Sequence, residues 1–390
     1  MESVNGSVLS IKGFIDGSVG IEDGVIVELS KKKAADPVAT GIVLPAFCNA
    51  HTHLGDAFIR MKLEGTVEQL FGPPSGLKHR MLAKATEEEV VSGIQGAVKA
   101  MVRGGTGSFL DFRETGIDGA RMLFKGCLGS GIEPVCLGRP KSMAYDKGEV
   151  ASLLRICDGL GISSMRDWPY SEVQKLSHDA RRAGKAFAIH CSEVNREDID
   201  KALDLKPAFL VHMIYASESD LERCADSNTP IAICPRSNAF FGKLPNIPMM
   251  LSKGVTLMLG TDNAMLNAPS MLREIDFAFR AAKLQGDVSP EDIVRMAIRG
   301  RKGLSAPDNS GVQIGERARL AVLDVPAGKD PFSAVLRATD ADVALVWLGE
   351  ERWQRQEKVS KREKLRKSKS GPSRGGRRNT RRRRRCPQKT

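Results

Sequence analysis

The sequence predicts an α/β protein: a (β/α)8 TIM barrel with a small β-sandwich domain formed by both termini. Three observations predict it. Between residues 43 and 264, eight short apolar runs alternate with longer amphipathic stretches. Residues 1–45 and 312–349 read instead as short strands separated by turns. Histidines and a carboxylate sit at the C-terminal ends of several apolar runs, the side of a barrel on which active sites are built.

The ends come first. SVLSIKG, GSVGIEDGVIVEL and an apolar VLP occupy the N-terminal 45 residues, and GVQIGERARLAVLDV and DVALVWLGE occupy 312–349. Two β-rich ends flanking an α/β middle imply that the termini meet in one small sheet domain, with the barrel spanning 46–311.

The eight runs are VLPAFCNAHTH (43–53), GSFLDFRE (107–114), IEPVCLGRP (132–140), GISSMR (161–166), AFAIHCSE (186–193), AFLVHMI (208–214), PIAICPRSN (230–238) and TLMLGTDNA (256–264). Most are near-continuously apolar, as parallel strands buried on both faces are. GISSMR is the least apolar. Helical patterns fill the gaps, including 86–105, 170–184 and 270–286. Thr86 with Glu89 three residues on reads as a capping box at a helix start.

Composition bounds the class. The 390 residues, 41% of them apolar, suit one barrel with a companion domain. No run approaches the roughly 20 apolar residues of a membrane span. The N-terminus has no basic region followed by an apolar run, so no signal peptide is expected. Eight scattered cysteines without a CxxC pair read as reduced thiols, and the expected compartment is the cytoplasm.

The net charge of +12 is local. Residues 351–390 hold 18 Lys/Arg against 3 Asp/Glu, leaving 41 basic and 44 acidic residues elsewhere. This Arg-rich end is too poor in apolar residues to build a core and is expected to be disordered. It reads either as an arm that binds nucleic acid through phosphate charge or as an appended segment without a role.

Only six histidines are present. His51, His53, His190 and His212 fall at the ends of runs one, five and six, and Asp262 follows run eight. Alternate residues of a strand face the same side, so His51 and His53 can reach one metal ion. A third imidazole from His190 and the Asp262 carboxylate complete a nitrogen and oxygen shell suited to zinc or another first-row divalent ion. His79 and His178 read as solvated.

PAFCNAHTHLGDAF, HCSE, VHMIYAS and GTDNAM, in this order, resemble the amidohydrolase superfamily, nearest its cytosine deaminase, guanine deaminase and chlorohydrolase-like branch. The resemblance spans residues 1–349. It implies one divalent metal, zinc first and iron second, held by His51, His53, His190 and Asp262. It also implies Asp262 as acceptor of the water's proton, Glu193 as the acid/base toward the leaving nitrogen, and His212 as a contact to water or substrate oxygen. Members with two metals carry a bridging lysine at the end of strand four. GISSMR has none, and Lys141 lies after strand three. The implied reaction is hydrolytic deamination of a nucleobase-like or related aminated heterocycle. Dechlorination or amide hydrolysis at the same site, or a nucleic-acid-binding protein with a vestigial barrel, are the alternatives. Arg113 and Glu114, Arg139, and Arg236, Ser237 and Asn238 close strands two, three and seven and are the candidate substrate contacts, with Phe58 and Met61 as pocket walls.

Overall fold

The computed structural model describes residues 1–299 and 310–355. The chain opens with β1 (Glu2–Ser10), β2 (Gly13–Glu22), β3 (Val25–Ser30) and β4 (Ala39–Pro45). β1 pairs antiparallel with β2 and parallel with β4.

Eight parallel strands follow. They are β5 (Phe47–His53), β6 (Thr106–Arg113), β7 (Glu133–Gly138), β8 (Gly159–Ile162), β9 (Ala186–Cys191), β10 (Phe209–His212), β11 (Ile231–Ile233) and an eighth broken into β12 (Leu257–Leu259) and β13 (Asp262–Asn263). Each pairs with the next, and β13 returns to β5 with Asp262 opposite Thr52, which closes the barrel. Cys48, Leu110, Leu137, Ala188, Val211 and Met258 belong to one apolar cluster drawn from strands all round the barrel, its filled interior. The opposite strand faces pack against the helices in the largest core cluster.

The expected helices run over Glu87–Arg103, Tyr170–Arg182 and Met271–Lys283. Thr86 and Glu89 form the reciprocal capping box at the first. The fourth strand is shorter and earlier than GISSMR. Ser164 accepts from the Arg166 backbone N–H at 3.0 Å and turns Met165–Asp167 into a 3-10 helix. Between β5 and the long helix lie two short ones, α1 (Val67–Phe71) and α2 (Leu77–Leu82).

The C-terminal strands β14 (Arg319–Leu323), β15 (Val343–Leu348) and β16 (Glu351–Gln354) complete a seven-stranded mixed sheet, ordered β16-β15-β14-β4-β1-β2-β3. Val4, Val19, Ile26, Leu320 and Trp347 share one apolar cluster. The backbone N–H of Ile26 donates to Glu316 at 2.8 Å, tying edge strand β3 to the segment before β14. The sheet thus curls over its own core as a small sandwich does.

Two expectations are corrected here. The segment 312–349 is not all strand: Asp330 caps the helix Pro331–Arg337, which packs on barrel helices Met271–Lys283 and Pro290–Ile298. The basic segment expected from 351 onward begins with ordered strand. Arg352 lies over the Trp347 ring and pairs with Glu2, and Trp353 packs on the main core. These side chains hold β16 where charge counting predicted none. Residues 356–390, the rest of the Arg-rich end, lie outside the described residues. Among the described residues, no helix is long and apolar enough to cross a membrane.

Candidate metal centre

The phase of β5 is set by a bulge. Cys48 and Ala50 face the barrel interior. Simple alternation would then send His51 and His53 outward. Against β6, however, Asn49 pairs with Phe109 and Thr52 with Asp111, so β5 holds one extra residue. A bulge of this kind re-aims the side chains beyond it. His51 and His53 therefore turn into the barrel mouth, fully buried. His190 needs no such device, since it follows inward-facing Ala188 by two residues. Asp262 follows inward-facing Met258 by four, and it carries a left-handed backbone with φ of 62°.

Ligand-type atoms converge in two overlapping triads: His51, His53 and His190, and His51, His212 and Asp262. His51 Nε2 lies 3.2 Å from His190 Nε2 and 3.3 Å from Asp262 Oδ1. His53 Nε2 lies 3.4 Å from His190 Nε2 and 3.6 Å from Asp262 Oδ1. A tetrahedral ion with bonds of about 2.0–2.1 Å holds its ligand atoms roughly 3.3–3.4 Å apart. The tautomers fit the same reading. His190 Nδ1 meets only a carbonyl acceptor, Ile162 O at 2.9 Å. His53 Nδ1 meets Phe112 O at 3.1 Å and Glu114 Oε1 at 2.8 Å. Both Nδ1 atoms therefore donate, and two bare Nε2 lone pairs face each other across 3.4 Å. A cation between them is what such an arrangement suits.

Burial keeps these imidazoles neutral. It pushes His51 down, His190 well down and His53 to about 3, with Lys78 adding to the last. Burial alone would raise Asp262, but its hydrogen bond with His51 and the surrounding imidazoles hold it well below the usual carboxylate range. Ser237 Oγ donates to Asp262 Oδ2 at 2.5 Å and Asn263 Nδ2 to Oδ1 at 2.9 Å.

His212 and Glu193 stand beside this cluster. His212 has a left-handed backbone, φ 74°, and its Nε2 lies 3.4 Å from Glu193 Oε1. Strain of this type persists where surrounding structure enforces it and is concentrated at functional sites. Asn238 meets His212 Nδ1 at 3.3 Å. Burial raises Glu193, partly opposed by His212.

A cavity of about 110 Å³ opens on the cluster, lined by Lys78, Arg139, Arg166, Glu193, Glu197 and His212 among others. Strand parity sorts the expected substrate contacts. Val135 and Leu137 face inward, and Arg139 follows them into the cavity wall. Leu110 and Phe112 face inward, so Glu114 shares their parity and Arg113 does not. Arg113 is corrected to an internal ion-pair partner, donating to Glu114 Oε2 at 2.7 Å beneath Gly55. Glu114 supports His53 rather than lining the cavity. Arg236 is corrected too: Pro235–Phe240 is helical, which ends the strand parity, and the Arg236 guanidinium binds Glu274 at 2.6 Å. Ser237 and Asn238 reach the cluster through Asp262 and His212. Met61 is 53% exposed, and neither it nor Phe58 lines the cavity. His79 is half-buried rather than solvated, and burial brings it down to about 4. Lys78 and Asn263, which the sequence did not single out, line the cavity.

This arrangement places the chain among barrel hydrolases that work through a metal ion. Its family is the Amidohydrolase family, whose model matches residues 42–349, and the chain belongs to it. The chain is 30% identical over 349 residues to a Methanothermobacter thermautotrophicus protein that carries a provisional aminohydrolase name, covering 82% of this chain and 90% of that one. It is 24% identical over 330 residues to the 5-methylthioadenosine/S-adenosylhomocysteine deaminase of Haloarcula marismortui, covering 74% of each. Among solved structures, a zinc-bound adenosine deaminase from Xanthomonas campestris superposes with a TM-score of 0.76 at 18% identity, covering 94% of this chain and 96% of that one.

Proposed function

We propose that the protein is a cytoplasmic deaminase that hydrolyses the C–N bond of an aminated heterocycle, using a single divalent ion, zinc before iron. The observation that carries this reading is the Glu193–His212 pair, 3.4 Å apart, set in the cavity beside three imidazoles and a carboxylate. His51, His53, His190 and Asp262 would hold the ion. When bound, it supplies a water whose pKa falls toward about 7.

The chain's own residues do the rest. Asp262, kept ionised chiefly by its contact with His51 and oriented by Ser237 and Asn263, takes the proton of the attacking water. Glu193, kept protonated more readily by burial, gives its proton to the ring nitrogen and then takes up the proton of the added hydroxyl, while the proton held by Asp262 passes to the amine, which leaves as ammonia. His212, steadied by Asn238, faces the oxygen that adds to the ring. Arg139 presents a planar donor fork to a polar edge of the substrate.

The single ion is supported by the end of β8, where Ser163 and Ser164 stand in place of a bridging lysine. Six of the described cysteines, Cys127, Cys136, Cys157, Cys191, Cys224 and Cys234, are free thiols, which supports a reducing compartment. The deaminase activity named for relatives supports the reaction class. An ammonia-release screen of zinc-loaded protein over purines, pyrimidines, pterins and their nucleosides tests the reading. Turnover of at least one aminated ring is expected. Release of chloride or of a carboxylic acid from a parallel panel, with no ammonia from any ring, would reassign the leaving group.

A further inference from the structure

Lys78 is a buried cation with no part in the chemistry above. It sits on α2, only 3% exposed. Taking an ammonium out of water is costly unless it is fully paired. Its Nζ donates to Glu114 Oε1 at 2.7 Å and to Asn263 Oδ1 at 3.1 Å. Each acceptor leads to one side of the metal cluster. The same Glu114 oxygen accepts from His53 Nδ1 at 2.8 Å, and Asn263 Nδ2 donates to Asp262 Oδ1 at 2.9 Å. A ring of contacts, His53–Glu114–Lys78–Asn263–Asp262, thus closes through the cluster itself.

Glu114 can serve in that ring because three donors converge on its carboxylate: Lys78 Nζ at 2.7 Å, His53 Nδ1 at 2.8 Å and Arg113 Nη2 at 2.7 Å. With the Phe112 carbonyl also beside it at 3.1 Å, His53 Nδ1 is the donor and Nε2 is left bare. The segment that bears Lys78 also walls the cavity, through Val67, Glu68 and Phe71.

We propose that Lys78 is a positioning residue of the metal centre, clamping His53 through Glu114 and Asp262 through Asn263 while seating the α1–α2 segment over the cavity. This rests on the metal-centre reading above. Outer partners of metal ligands commonly contribute 10–100-fold to affinity. By reciprocity, an ion that orders the ligands also orders the segment joined to them.

The test is zinc affinity, read by chelator competition, for the wild type, Lys78→Met, Glu114→Gln and the double variant. Lys78→Met is expected to weaken zinc binding by about 10–100-fold and to lower the melting temperature of the metal-free protein, because the buried Glu114 carboxylate is left one partner short. In the Glu114→Gln background the same substitution is expected to cost much less, because one arm of the clamp is already gone. Wild-type zinc affinity in Lys78→Met, with a raised KM, would overturn the proposal and make Lys78 a substrate contact. Equal costs in both backgrounds would overturn the Glu114 route. A wild type that binds no stoichiometric zinc would sink the metal-centre reading as well, a result distinct from either. If Lys78→Met does not fold, hydrogen exchange across residues 67–82 of the wild type decides. Slower exchange with zinc is expected, and equal exchange with and without it overturns the coupling.

Discussion

Gly260 lies against His51 so closely that a β-carbon on it would sit 2.7 Å from the His51 β-carbon and 2.7 Å from its backbone nitrogen. Next to it, the Thr261 N–H donates to His51 O at 3.1 Å and to Asn49 Oδ1 at 2.9 Å. The strand bearing Asp262 is thus keyed to the strand bearing His51 by the absence of a side chain. Gly260→Ala is expected to push β5 aside and weaken zinc binding by about tenfold or more, in line with loss of ligand positioning. Chelator competition alongside a melting curve checks this. Unchanged affinity would mean that the seam has slack.

Glu193→Gln keeps the shape and removes the transferable proton. General acid–base catalysis contributes typically 10²–10⁴-fold, so kcat is expected to fall by about that factor. Zinc content should stay at the wild-type value, because Glu193 is not in the ligand set. Near-native kcat on a confirmed substrate would remove Glu193 from the mechanism.

Ser237→Ala deletes the 2.5 Å hydrogen bond to Asp262 Oδ2. Hydrogen bonds to charged groups contribute about 1.5–3 kcal/mol, which corresponds to a loss in kcat/KM of roughly tenfold to a hundredfold. The fold should survive, since Ser237 contributes little apolar surface. Steady-state kinetics with circular dichroism separates the two effects.

Away from the centre, Asp220 couples a helix cap to an ion pair. It closes the capping box with Ser217 and accepts from Arg196 Nε at 2.7 Å. The Arg196 hydrogen bond, aided by Ser217, holds the Asp220 pKa below its ordinary 3.8. A depressed carboxylate stabilises the fold above its unfolded pKa, and that stability disappears as pH falls through the folded value. Arg196 is 59% exposed, so solvent screening keeps the contribution small. Arg196→Ala is expected to lower the melting temperature by about 1–3 °C at pH 7. The gap should close below about pH 4. A gap that widens in acid would contradict the assignment.

Much of this was readable from residues alone. Four of only six histidines end apolar runs and pointed to the cluster, and the strand count held because each buried strand carries its own apolar signature. Glu114 was separable from Arg113 as well. In FLDFRE the apolar Leu110 and Phe112 alternate with Asp111 and Arg113, which assigns Glu114 to the inner side. The β5 bulge was not readable, because it exists only in the pairing of Asn49 and Thr52 with β6. Lys78 was hidden for a related reason. It sits on a six-residue helix with no strand end nearby in sequence, and only folding brings it to Glu114 and Asn263. The strand Glu351–Gln354 was masked by its charge, since its support comes from Trp347 in the preceding strand and from Glu2 at the other end of the chain.

The barrel closes where β13 meets β5, and the proposed ligand set straddles that joint: His51 and His53 on the first strand, Asp262 on the last, His190 midway round. The proposed ion site is therefore written in instalments along the chain from His51 to Asp262. No fragment that stops short of Asp262 owns it, however well its early strands fold. During synthesis the ribosome must release the eighth strand before the site can exist. Zinc uptake would then report that the circle has been completed, and an ion bridging the joint would act as a rivet.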